Sequence, residues 1–430
     1  MRYFVLFVPL LIAAAPAPDP AALRTNVEKL VSFGTRHTLS SATDRKRGIG
    51  AARTWTAREF AKIGKACGGC LAVERPSARF EGPRAPQGVI VEDVLGIQRG
   101  TGDPSHVVIV AGHIDSRVSD VMDFTKGAPG ANDDASGVAL VLEAARLLAK
   151  EKHAATIVYA VLSGEEQGLW GGKLLADTAK AKGWRIAAML NNDIVGNTTG
   201  QDGRVVADRV RVFSEGAPAA EDLAQLKARR MSGGEDDSPS RALAKAVGRL
   251  AAATPAIGLE AMLVRRPDRF GRGGDHTPLL EAGYPAIRFS VGVENYDAQH
   301  QDLRTENGRV YGDTVDRMDF AYLAKVTALN VAMLRRLAAA PPAPAKVVAG
   351  GAVTTDTLLK WDAVPTAAGY RVRWRRADAQ DWTEARDYPS GATEAKLEGV
   401  IVDDHFMGVS ALSSTGAESL VTFATLPPRN

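Results

Sequence analysis

Between Val107 and Leu190 short apolar runs alternate with helical patterns: Val107 to Ala111, Ala135 to Ala149, Ala155 to Leu162, Gly171 to Ala181, and Ile186 to Leu190. Strands that alternate with helices build an α/β domain, here a mixed, largely parallel sheet with helices on both faces. The pattern extends in both directions. Residues Ala21 to Gly64 read as helical, with an apolar stripe at Leu23, Val27, Leu30 and Val31 and another at Trp55, Phe60 and Ile63. Downstream, Ser238 caps a helix opening on Pro239, with Glu235, Asp236 and Asp237 favouring its positive end. Ala286 to Ser290 is strand-like, and Asp313 to Ala339 is expected as a long closing helix.

Consecutive prolines then stop the helix, and residues 340–345 form an extended linker. Beyond it the apolar period switches to two: Leu359 and Trp361, then Tyr370, Val372 and Trp374, then Met407, Val409 and Ala411. Residues 346–430 are therefore expected as a small all-β sandwich and 18–339 as the larger domain. The strand order resembles a fibronectin type III module, with His405 where such modules usually carry a tyrosine. At the other end, Met1-Arg2, the apolar run Tyr3 to Ile12 and the small residues Ala13 to Ala15 have the layout of a signal peptide over 1–17. Its apolar run is shorter than the ~20 residues of a membrane span. A secreted or periplasmic protein without stable membrane insertion follows as the expectation.

The chain's two cysteines lie together in Cys67-Gly-Gly-Cys70, too few for a zinc-thiolate site and suited to a small disulfide in an oxidising compartment. A net charge of +3 over 430 residues gives no electrostatic case for nucleic acid.

Chemistry-bearing residues cluster where the apolar runs end. Gly112-His113-Ile114-Asp115 follows the first strand, at the strand end where open α/β sheets build sites. Gly130 to Gly137 exposes Asp133 and Asp134 just ahead of a helix, where either metal binding or helix capping accounts for them. Ser163-Gly164-Glu165-Glu166 follows the next strand, and paired glutamates there call for a nearby positive charge. Asn191-Asn192-Asp193 ends another. The serines lack a nucleophile-elbow pattern, so a serine hydrolase is not indicated.

From Val107 to Asp319 this ordered set resembles the zinc-peptidase family of the secreted bacterial leucyl aminopeptidases, glutamate carboxypeptidase and glutaminyl cyclase, and so implies a zinc-exopeptidase-like fold. The resemblance implies two Zn²⁺ per chain. It makes His113, Asp133, Glu166, Asp193 and His300 the metal ligands, with Asp133 bridging and Asp134 joined to it by a cis peptide. It makes Asp115 the acid that orients His113, and Glu165 the general base for a zinc-bridging water. His300 follows Gly283-Tyr284-Pro285 as the family's last histidine does, whereas His276, in Gly274-Asp275-His276, supports the site from behind. Two histidines and three carboxylates suit Zn²⁺ in any case, and one shared carboxylate can hold two ions. The expected activity is aminopeptidase hydrolysis of peptide or protein substrates. The arginines from Arg265 to Arg272 leave a carboxypeptidase or dipeptidase open, and metal-free relatives leave a binding module open. Arg272 corresponds to a residue that contacts the substrate carbonyl in some relatives. Gln299 precedes His300 where a tyrosine would be useful, so the oxyanion donor stays unassigned. His37, His106 and His153 are expected at the surface or as caps. The sandwich is a candidate contact for a surface or for substrate.

Overall fold

The apolar runs expected as strands lie side by side. In the computed structural model, which describes residues 17–427, an eight-stranded sheet has Thr156–Leu162, His106–His113, Arg185–Asn192 and Ala286–Val291 at its centre. These central strands are mutually parallel. Val94–Gln98 and Ala72–Glu74 extend one edge and Arg209–Phe213 and Glu260–Val264 the other, with antiparallel pairing where each flank joins the centre. Every residue of His106–His113 and Thr156–Leu162 is buried, as strands covered on both faces require. Helices Pro20–Val31, Ala135–Leu148, Pro239–Ala253 and Phe320–Ala339 pack into one apolar layer, and Trp170–Ala181 and His276–Glu281 into the other. The expected leader lies outside the described residues except for Ala17.

Several local expectations change. The stretch Ala21 to Gly64 is two helices, Pro20–Val31 and Gly48–Ala66. The segment between them leaves helical geometry, passes Gly34 at φ +72° and carries Arg36, His37 and Thr38 toward the sheet edge. The closing helix begins only at Phe320, capped by Asp319, whose carboxylate accepts from Tyr322 N–H. His37, His106 and His153 are buried rather than superficial; the His37 ring bonds the Val121 carbonyl at 3.0 Å. A hairpin, Ser77–Gly82 with Ala85–Glu92, packs over the Trp170 helix. Cys67 and Cys70 are disulfide-bonded at the end of Gly48–Ala66.

Beyond the linker, a three-stranded antiparallel sheet (Val348–Gly350, Thr357–Lys360, Glu394–Leu397) faces a four-stranded one (Glu384–Pro389, Gly369–Arg376, His405–Leu412, Thr422–Phe423) across a core holding Leu359, Trp361, Tyr370 and Val409. The His405 ring bonds the Ile401 carbonyl four residues upstream at 3.0 Å, so the histidine makes a corner bond of the kind a tyrosine would supply. Ser238 caps its helix as expected, accepting from Arg241 N–H. Asp236 and Asp237, however, do more than favour that helix. Asp237 pairs with the buried Arg375 of the sandwich, and Lys245 Nζ donates to Asp236, Asp237 and the Gln380 carbonyl.

Candidate metal centre

The parallel strands deliver their motifs to one sheet edge. His113 is the last residue of its strand, and its N–H donates to Asp134 Oδ2 at 3.0 Å. The same carboxylate accepts from Gly137 N–H at 3.0 Å and from Ile194 N–H at 3.2 Å. Asp134 is therefore the cap of Ala135–Leu148 and the tie between three segments, which leaves Asp133 to face the cavity. The peptide between the two is cis. Ile194 adopts φ +62°, a costly conformation for a β-branched residue. Its N–H is held by Asp134 and its carbonyl by Val291 N–H, which sets the direction in which Asp193 leaves the strand.

Two trios meet at Asp133. His113, Glu165 and Asp193 bring their donor atoms within 4.8 Å of one another, and so do Asp133, Glu166 and His300. Asp133 Oδ1 lies 3.2 Å from His113 Nε2, and its Oδ2 lies 3.0 Å from His300 Nε2. Glu166 Oε1 is 2.9 Å from that same His300 nitrogen, and Asp193 Oδ1 is 3.9 Å from His113 Nε2. One carboxylate thus turns an oxygen to each histidine. Close as these neighbours are, His113 Nε2 and Glu166 Oε1 are buried and aligned for no hydrogen bond, a cost that a cation between the donors would relieve. Imidazole nitrogens and carboxylate oxygens at this spacing fit Zn²⁺. The structure brings all five expected ligands together, and Glu165, expected as the base, falls within the first trio itself, with Asp133 reaching that trio through His113.

The charges report the crowding. Burial works against a charged ring at His113, but the neighbouring carboxylates of Asp115 and Asp133 hold its pKa well above the ordinary value. Burial likewise opposes charge at His300, and Glu166 and Asp133 still raise it to about 10. Burial pushes the Glu165 carboxyl well up, with Glu166, Asp193 and Asp275 adding to the rise.

Neighbours hold this set in place. The His113 Nδ1 bonds the Asp115 backbone carbonyl at 3.1 Å, with the Asp115 carboxylate farther off at 3.6 Å. That carboxylate accepts from Thr38 Oγ1 at 2.8 Å and from the N–H groups of Glu165 and Glu166. Asp115 therefore orients the ring through its main chain and steadies the glutamate turn through its side chain. Sequence reasoning missed the rest of the support. Arg117 donates to Glu166 Oε2 at 2.7 Å and reaches His300. The fully buried Arg288 lies between Asp193 Oδ1 at 2.8 Å and Asp268 Oδ2 at 3.0 Å. Asp313 accepts from Asn132 and Asp133 N–H, and Arg36 donates to the carbonyls of Ile114, Pro129 and Gly130. Arg288 alone left a trace, a charge inside an apolar strand.

The residues expected at the substrate side divide. His276 is buried, outside both trios, and its Nε2 donates to the Pro267 carbonyl at 2.8 Å. Asp275 accepts from Gly172 N–H at 2.9 Å behind the site. Arg272 and Gln299 line a cavity of about 660 Å³ together with Glu165 and His300, and Arg272 Nη1 lies 3.3 Å from Gln299 Oε1.

The model of Peptidase family M28 matches residues 93–334. The chain belongs to peptidase family M28. A "Probable zinc metalloprotease" of Leptosphaeria maculans is 46% identical over 365 residues, 84% of each chain. A protein of the same description from Pyrenophora tritici-repentis is 42% identical over 403 residues, 92% of this chain and 83% of that one. LapB from Legionella pneumophila shares the fold at TM-score 0.51 and 17% identity over 74% of this chain and 71% of its own. So does a Zn-dependent exopeptidase from Parabacteroides distasonis, at TM-score 0.51 and 17% identity over 75% and 99%. As an M28 member the protein is a metallopeptidase, and zinc is the metal that its relatives' description names.

Proposed function

We propose that this M28 peptidase is an exported two-zinc aminopeptidase. The observation that carries the two-metal reading is Asp133, whose oxygens each face a different histidine within 3.2 Å. In this reading His113, Asp133 and Asp193 hold one ion, and Asp133, Glu166 and His300 the other. Zinc bound there supplies Lewis acidity toward a carbonyl and an acidified water. The protein's own share is to position and to move protons. Glu165 lines the cavity, and burial raises its pKa, which strengthens its carboxylate as a proton acceptor. It takes a proton from the attacking water and returns it to the leaving amine. Arg117 fixes Glu166 and His300, while Arg288 offsets the buried charge of Asp193.

Glu165 and Asp193, both lining the cavity, supply negative charge for a substrate's free α-ammonium. Export is supported by the leader-like first residues and by the Cys67–Cys70 disulfide. Among the described residues no helix is long and apolar enough to cross a membrane. A fibronectin type III-like reading of the C-terminal module is supported by its three- and four-stranded sheets. The test is hydrolysis of aminoacyl p-nitroanilides against N-acetylated peptides, with and without chelator. Chelator-sensitive cleavage restricted to free-amine substrates is expected; cleavage of the blocked peptides alone would make the enzyme a carboxypeptidase instead.

A further inference from the structure

The cavity beside the metal centre has an uneven charge distribution. Its carboxylates, Asp133, Glu165, Glu166 and Asp193, all belong to the two trios, whereas Arg84, Arg117, Arg269 and Arg272 also line it. Two of these arginines are committed. Arg117 bonds Glu166 and His300, and Arg269 bonds Asp268 with little exposure of its own. Arg84 and Arg272 are exposed, and among the described residues each is hydrogen-bonded through Nη1 only. Arg84 Nη1 donates to the Glu166 carbonyl at 2.7 Å, and Arg272 Nη1 to Gln299 Oε1 at 3.3 Å and to the buried Glu294 carboxylate at 3.5 Å. Such anchoring limits the guanidinium's freedom and leaves its Nε and Nη2 edge for a planar, two-oxygen partner.

Arg84 is also placed on a braced support. It occupies the turn of the hairpin Ser77–Gly82 and Ala85–Glu92, where Phe80 stacks on Trp170 at 5.6 Å and Ala85 and Val91 are buried. The apolar residues of the lining are Pro83, Leu169 and Tyr296. A carboxylate finds there the unbonded Nε and Nη2 edges of two guanidinium groups.

We propose that Arg84 and Arg272 form a carboxylate-binding subsite, so that this peptidase acts on peptides bringing an acidic side chain or a terminal carboxylate next to the scissile bond. The proposal rests on the peptidase reading of the adjacent centre but names a contact that binding alone can test. Zinc-loaded Glu165→Gln protein, which retains the expected ligands, is titrated calorimetrically with Glu-Ala-Ala-amide, Ala-Ala-Ala and Gln-Ala-Ala-amide. The first carries only a side-chain carboxylate, the second only a terminal one, the third neither. At least one carboxylate peptide should bind about tenfold or more tighter than the neutral one, the scale of a charge-assisted hydrogen bond. The preference, read as the ratio of carboxylate-peptide to neutral-peptide affinity within each protein, should disappear when Arg84→Gln and Arg272→Gln are added. Equal affinities, no binding, or a preference that survives the double substitution overturns the subsite. If the preference holds and wild-type protein cleaves none of the three, the aminopeptidase reading fails while the subsite stands.

Discussion

Asp133 and Asp134 are chemically identical neighbours with opposite surroundings. Burial raises the pKa of both, but His300 and His113 drive Asp133 well below the usual carboxylate range, while Asp193 and Asp133 help keep Asp134 well above it. Asp133 is exposed to imidazoles and suited to metal, whereas Asp134 receives backbone N–H groups and holds the turn. Residue types alone left that division open, because both readings need only an acid ahead of a helix. The positions were legible where a motif closed a strand, as at His113, Glu165 and Asp193. They were illegible where support comes from far along the chain: Asp313 bonds Asn132 across 181 positions, and Arg36 bonds Gly130 across 94. Among the motif residues, Glu165 gives the sharpest test. Glu165→Gln should lower kcat by about 10²- to 10⁴-fold, the usual scale of general acid–base catalysis, with metal content unchanged. A variant of near wild-type kcat would remove Glu165 from the proton path.

At the level of elements, the site depends on how closely a helix start approaches the sheet. A Cβ on Gly137 would lie 2.2 Å from the Asn192 carbonyl and 2.4 Å from Asp134 Oδ2, and one on Gly112 would lie 2.6 Å from Gly137. The absence of side chains at these two glycines lets Ala135–Leu148 sit against the strand ends that carry His113 and Asp193. Gly137→Ala should therefore cost about 1–3 kcal/mol or more in urea unfolding and weaken metal retention. Gly350→Ala, where a Cβ meets nothing within 4 Å, should stay within about 0.5 kcal/mol. Equal effects of the two would argue against a packed helix start. Apolar runs announced the central strands because continuous burial leaves a continuous signature. The break between Pro20–Val31 and Gly48–Ala66 gave no such signature, since the stripe resumes after Ser32 to Arg47 and the intervening loop is set by contacts with Ile114, Asp115 and Ser116.

For the whole molecule, the linker marks a change of architecture without marking independence. Arg375 is buried, reaches Asp236 and Asp237 from the sandwich, and carries Trp382 and Phe406 on its guanidinium at 5.3 and 4.7 Å. Removing one partner of such a pair costs about 3–5 kcal/mol by leaving charge stranded. Arg375→Met should thus lower the thermal midpoint while peptide hydrolysis by the folded protein persists, because every expected ligand precedes residue 301. Loss of hydrolysis with the fold intact would tie the sandwich to catalysis. The central claim, that Asp133 joins two metal sites, is tested most directly by zinc stoichiometry of the purified protein and of Asp133→Asn. Two zincs per chain, falling toward none in the variant because both sites lose the shared ligand, is the expected result; a single zinc in the wild type, or two retained by Asp133→Asn, would contradict it.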